Sequence, residues 1–164
     1  MRVCVPRFAG KVARLVPAST ASAVLLLSAP IASATTPAAY RAYLNGVCRS
    51  YTSKLDSLST AMKRAQQEHD AYNWGRDLGV LLNLGLAQDA TIRRTAVPAT
   101  LGPTIEPILS ILSKIDAHAQ LALAEAAKGS TGWIAEMQAI GPLTGPLDRM
   151  FDGAGLRDCG SNQN

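Results

Sequence analysis

The sequence predicts an all-α protein, an up-down-up-down four-helix bundle closed by one disulfide. Three observations carry that expectation. Apolar residues recur at three- and four-residue spacing through nearly the whole chain after residue 34. No stretch of clean two-residue alternation marks a strand. The helical pattern is interrupted by short segments rich in glycine, proline and aspartate, the composition of connections between neighbouring helices.

The bundle is expected to follow a leader. Residues 1–34 open with Arg2, Arg7, Lys11 and Arg14 and no acidic residue, continue into an apolar stretch densest over 21–29, and end on Ala32-Ser33-Ala34. That order predicts a secretory signal peptide cleaved after Ala34, leaving one domain over 35–164. A membrane span needs about 20 predominantly apolar residues. Pro17, Ser19, Thr20, Ser22 and Pro30 interrupt the run, so no stable span is expected after cleavage. No arginine pair precedes the apolar zone, which favours the general secretory route. No cysteine follows it closely, so a lipid anchor has nothing to attach to. The abundance of small residues suggests a bacterial exporter, and the expected location is secreted, extracellular or in the cell envelope.

Removing the leader changes the charge. The full chain has 16 Lys+Arg and 12 Asp+Glu, a net charge of +4. Four bases lie in the leader, so the remainder has 16 − 4 = 12 bases against 12 acids and no formal net charge. A neutral domain lacks the electrostatic footprint of a nucleic-acid binder, and no nucleic-acid partner is expected. The densest remaining basic spot, Arg93-Arg94, lies where a helix should end and suits the negative end of its dipole.

Cysteine usage agrees with export. Cys4 leaves with the leader, and Cys48 and Cys159 remain, an even number suited to an oxidising compartment. The one possible pairing closes a loop of roughly 110 residues, for which the chain-entropy model gives about 4.7 kcal/mol as an upper figure.

The first predicted helix spans roughly 38–68, with Tyr40, Leu44, Val47, Tyr51, Leu55, Leu58, Met62 and Ala65 on one stripe. Asp70 is placed to cap a second helix running to about residue 94, with Trp74, Leu78, Leu81, Gly85, Gln88 and Ile92 facing inward. "TAVPATLGP" breaks the pattern. A third helix to about residue 128 carries Leu101, Ile105, Ile108, Leu112, Ile115, Ala119 and Ala122 in register, with Pro103 and Pro107 in its opening turns and Gly129 ending it. Ser130 or Thr131 starts a fourth helix bearing Trp133, Met137, Ile140, Leu147 and Met150. Pro142 and Pro146, each after a glycine, predict a kink there or a split into two shorter helices near 141–145. In an even-numbered antiparallel bundle the start of the first helix and the end of the fourth lie together, which brings Cys48 and Cys159 to the same end.

Residues with chemical potential are few. The second helix reads "NWGRDLGVLLNLGLAQ", in which Gly75, Gly79 and Gly85 each cost about 1 kcal/mol against alanine. Gly75 and Gly79 share a face and would admit a close neighbour, as in a tightly packed central helix or a glycine-floored interface. Trp74, Trp133, His69 and His118 all fall towards the end of the bundle away from the disulfide. Packing tryptophans and solvated histidines are the ordinary expectation, and a small-molecule pocket with His118 as a haem or metal ligand is the alternative. The histidines belong to no ligand cluster with metal spacing. Asp148 and Asp152 share a helix face beside Arg149, without the oxygen-rich loop of a calcium site. Neither a Gly-x-Ser-x-Gly elbow, nor HExxH, nor a phosphate-binding glycine loop occurs. The run "GAGL" follows a helix instead of opening one, so its amides face the wrong way for a phosphate.

These features predict a binding or interaction protein without catalytic activity and without a cofactor, acting on a protein partner or a second copy of itself through the second helix. Candidate binding residues are Trp74, Gly75, Gly79, His118 and Trp133. The alternatives are a carrier of an apolar small molecule, haem included, and a hydrolase or enzyme inhibitor whose site leaves no trace in spacing.

Overall fold

The computed structural model describes residues 36–160; residues 1–35, on which the expected signal peptide and Cys4 fall, and residues 161–164 lie outside the described residues. The described residues form four helices, α1 (Pro37–Gln67), α2 (Ala71–Arg94), α3 (Gly102–Ala127) and α4 (Trp133–Gly153), with short 3-10 turns at Ala99–Leu101 and Arg157–Cys159. The described residues contain no strand.

Local chemistry sets most of these boundaries. At the start of α1, Thr36 Oγ1 accepts the Ala39 amide at 3.2 Å, and Pro37 occupies the first turn, where its missing N–H is harmless. Asp70 caps α2 as its sequence position predicts, accepting the Asn73 amide at 3.0 Å. That bond, joined by one from the Asn73 side chain, holds the Asp70 carboxyl below its ordinary range. Three helices stop in the same way. After α3 and α4, Gly129 (φ 70°) and Gly155 (φ 79°) take the left-handed conformation. The next amides, of Ser130 and Leu156, reach back to Glu125 O at 3.1 Å and Phe151 O at 2.8 Å. After α1 the left-handed residue is His69 (φ 55°), and the Asp70 amide bonds Ala65 O at 2.8 Å.

The fourth helix begins later than expected, and of the two forms expected at its prolines it is not the split one. It begins at Trp133, because Ser130 Oγ accepts the Gly132 amide at 3.0 Å and holds a turn ahead of the first helical residue. It then continues as a single helix to Gly153 through Pro142 and Pro146, so the chain is not split there. Each proline removes one backbone donor, and the surrounding residues remain helical all the same.

The main helix contacts join α1 to α2 and α3 to α4, and a shorter seam joins α2 to α3. Two apolar clusters fill the interior. The first gathers Tyr40 and Leu44 with Ile92, Ile105, Ile108, Leu112, Phe151 and the disulfide. Ala65, Trp74, Leu78, Leu82, Ala119, Ala122, Met137 and Ile140 form the second, and Ile115 packs against both. Between the clusters the α1 stripe is only half-buried at Tyr51, Leu55 and Leu58. Two positions shift by one residue. Cys48 is buried where Val47 is expected, and Leu82 where Leu81 is expected.

Cys48 and Cys159 form the disulfide, with Cα atoms 5.1 Å apart. A polar ladder on α1 surrounds it. Arg41 Nε donates to Ala154 O at 2.7 Å, and Asn45 Nδ2 donates to Gly155 O at 3.1 Å. The Asp158 amide donates to Asn45 Oδ1 at 3.1 Å, and the Asp158 carboxylate is ion-paired with Arg49. Arg41, Asn45 and Arg49 are four apart and so lie on one face. Cys159 therefore belongs to a docked tail. No helix among the described residues is long and apolar enough to cross a membrane.

Candidate functional site

Trp74 lies in the first turn of α2 and Trp133 at the first residue of α4, and the structure brings their rings to 5.5 Å between centroids at 43°. Pairs of this geometry contribute about 0.5–1.5 kcal/mol beyond their buried area. Trp74 is buried and Trp133 half-buried, both packed on the second apolar cluster. The two rings thus fill the end of the core and cover it.

His118 is part of the structure here and not simply solvated. Its Nδ1 lies 2.7 Å from Glu136 Oε2, a link from α3 to α4 one turn beyond Trp133. His69 is exposed and occupies the left-handed turn after α1, remote in role from His118. Of the two histidines, only His118 is joined to this end of the molecule by a side-chain bond.

The glycines of α2 correct an expectation. A Cβ placed on Gly75, Gly79 or Gly85 would meet no atom within 4 Å, so none of them accommodates a close neighbour among the described residues. Leu78 and Leu82 point into the core, whereas Tyr72 is 63% exposed and Val80 48% exposed on the outer side. Gly79 lies next to Val80, and its carbonyl accepts Asn83 Nδ2 at 2.8 Å. From Leu78 to Gln88 the helix bears no charged residue. The outer face of α2 is therefore uncharged from Leu78 to Gln88, with exposed Arg76 preceding that stretch between Tyr72 and Val80.

A polar cluster between α2 and α3 escaped the sequence reading. Arg93, expected only to complement a helix dipole, is ion-paired with Asp116, and its Nη1 donates to Ser113 Oγ at 2.7 Å. Asp89, one turn before Arg93, faces Asp116. Burial pushes the Asp89 carboxyl up to about 8, with the hydrogen bond to Asp116 and that residue's charge acting in the same direction and Arg93 opposing them. The four-residue spacing of Asp89 and Arg93 was visible in sequence, but their partner lies 23 residues beyond Arg93 on another helix.

Asp148 and Asp152 share a face of α4, where burial raises the Asp148 carboxyl. The tail turns tightly over them, since a Cβ at Gly160 would meet Asp148 O and Asp152 Oδ1 at 2.7 Å each. Among the described residues no group of three or more His, Cys, Asp or Glu side chains is placed to hold a metal ion. No protein-family model, curated protein or solved structure matches this chain.

Proposed function

We propose that this protein acts by binding, through self-association along the outer face of α2. The observation that carries the proposal is the open space over Gly75 and Gly79, on the side of the helix that bears the exposed side chains of Tyr72 and Val80. Glycine costs a helix about 1 kcal/mol against alanine. Two of them on one side of the helix, with no neighbour among the described residues, suit a surface that a second backbone approaches. Val80, Asn83 and Leu86 supply apolar and neutral surface beside Gly79, and the nearby charge, Arg76, is ion-paired with Asp77.

The same proposal includes an exported chain. The leader over residues 1–34 and a disulfide, which persists in oxidising compartments, support a secreted or envelope location, and the small-residue leader supports a bacterial source. It also includes the up-down-up-down topology. In the first apolar cluster, residues from the start of α1 and α3 meet residues from the end of α2 and α4, as alternating helix directions require. A bend in α4 at Pro142 and Pro146 belongs with it, because a proline ring crowds the preceding turn.

Native mass spectrometry of protein recovered from culture medium should show a dimer mass, and Gly79→Leu should remove the dimer while circular dichroism and melting stay close to the parent. The open space at Gly79 is what makes that variant tolerable to the single chain. A monomer at all concentrations, or a Gly79→Leu dimer as tight as the parent, overturns the proposal. The second reading, an apolar-ligand carrier, is favoured by the position of His118 near the tryptophan pair. A haem titration showing a Soret band that His118→Ala abolishes would favour it over self-association.

A further inference from the structure

We propose that Asp89 and Asp116 share a single proton, and that this carboxyl pair with Arg93 is a pH-sensitive fastener between the α1/α2 and α3/α4 helix pairs. The geometry begins with an apparent deficit. Asp116 Oδ2 is ion-paired to Arg93, whereas Asp116 Oδ1 is buried and has no hydrogen-bond partner among the described residues. A buried carboxylate oxygen without a donor is costly. Asp89 lies within hydrogen-bonding reach of Asp116, but two carboxylates offer only acceptors to one another. One proton on Asp89 resolves the deficit at Asp116, since its O–H then donates to Asp116, while Arg93 Nε stays buried without a partner among the described residues. The cluster becomes one neutral acid, one carboxylate and one guanidinium, with no net charge.

The location makes the proton consequential. Arg93 and Asp89 belong to α2, and Ser113 and Asp116 to α3, so every bond in the cluster crosses the seam between the two helix pairs. That seam is shorter than the contact within either pair. The charged groups acting on Asp89 are Asp116 from α3 and Arg93 from its own helix, and α1 contributes none among the described residues. Loss of the shared proton leaves two adjacent carboxylates and one arginine, and like charges in a half-buried site repel.

The direction of the pH effect follows from linkage. Asp89 holds its proton in the folded chain up to about 8, whereas the unfolded carboxyl releases it near 3.8. Between those values the folded state binds more protons, so stability falls as pH rises and levels off above the upper one. This is opposite in sign to an ordinary salt-bridged aspartate.

The test uses the full disulfide-bonded chain and its Asp89→Asn variant, whose amide can still donate to Asp116. Urea unfolding at pH 5.5 and 7.5 should show the parent's unfolding constant rising by up to about 100-fold more than that of the variant, the limit for one proton over two pH units. Comparing the two chains cancels the histidines. Carbon-13 NMR of the Asp89 carboxyl in the parent should show a midpoint several units above 4, falling towards the ordinary range in Asp116→Asn. An Asp89 resonance titrating near 4 in the parent, or equal pH dependence in the two chains, overturns the proposal.

Discussion

Asn45 on α1 accepts the Asp158 amide at 3.1 Å, a bond between residues 113 apart in sequence. Its amide group also donates to Gly155 O, so one side chain holds the tail on both sides of Leu156. Arg41 and Arg49 extend the same stripe, and the disulfide lies beside it. The tail is thus secured twice, by a covalent bond and by a polar ladder.

Removing the covalent bond with Cys48→Ala and Cys159→Ala together is expected to cost about 2–5 kcal/mol in urea unfolding, as for other small domains. Because the ladder remains, the tail should stay docked in the variant, with the Asp158 amide still protected from hydrogen exchange. Adding Asn45→Ala to the double variant should release that protection, whereas equal exchange in all three chains would mean the ladder holds nothing.

Tyr40 is 0% exposed, and its hydroxyl has no hydrogen-bond partner among the described residues. Burial also pushes its phenol upward, away from ionisation. Tyr40→Phe keeps the ring and removes the unsatisfied group, so a gain of about 1 kcal/mol in denaturant unfolding is expected. Tyr40→Ala should lose about 3–5 kcal/mol, because the ring fills the first apolar cluster.

His69 holds φ 55°, the conformation that Gly129 and Gly155 adopt after α3 and α4. A side chain in that region costs roughly 1–2 kcal/mol. His69→Gly should therefore raise stability by about 1 kcal/mol, partly offset by the greater freedom of an unfolded glycine. A loss of stability would show that the imidazole makes a contact worth more than the strain.

Asp70 is the cap of α2, and its carboxyl is held low by the Asn73 amide. A carboxyl lowered by folding stabilises the chain above its unfolded value of 3.8, and the contribution fades as pH falls through the folded value. Asp70→Ala should accordingly melt below the parent at pH 7, with the two melting temperatures drawing together as pH falls below the ordinary carboxylate range. A gap that stays constant with pH would assign the loss to helix propensity instead of the cap.

Much of this architecture was legible in one dimension because the forces that set it are local. The Asp70 cap, the Gly129 stop and the recurrence of Ile105, Ile108 and Leu112 depend on residues within a turn or two of each other. The Cys48–Cys159 bond followed from counting, since only one pairing was possible. His118 was singled out, but its Glu136 partner was not, because nothing in their 18-residue spacing marks the contact.

Sequence alone determined that four helices form, roughly where each begins and ends, and which cysteines join. Periodicity and capping act within a helix, so they can be read without knowing what the helix packs against. Only the tertiary structure decided that Gly75 and Gly79 meet no neighbour among the described residues, that α4 continues through its prolines, and that Asp89, Arg93 and Asp116 share one seam. Those outcomes depend on the rotation of one helix against another. A turn of a few tens of degrees, invisible to spacing, moves a side chain from solvent into contact.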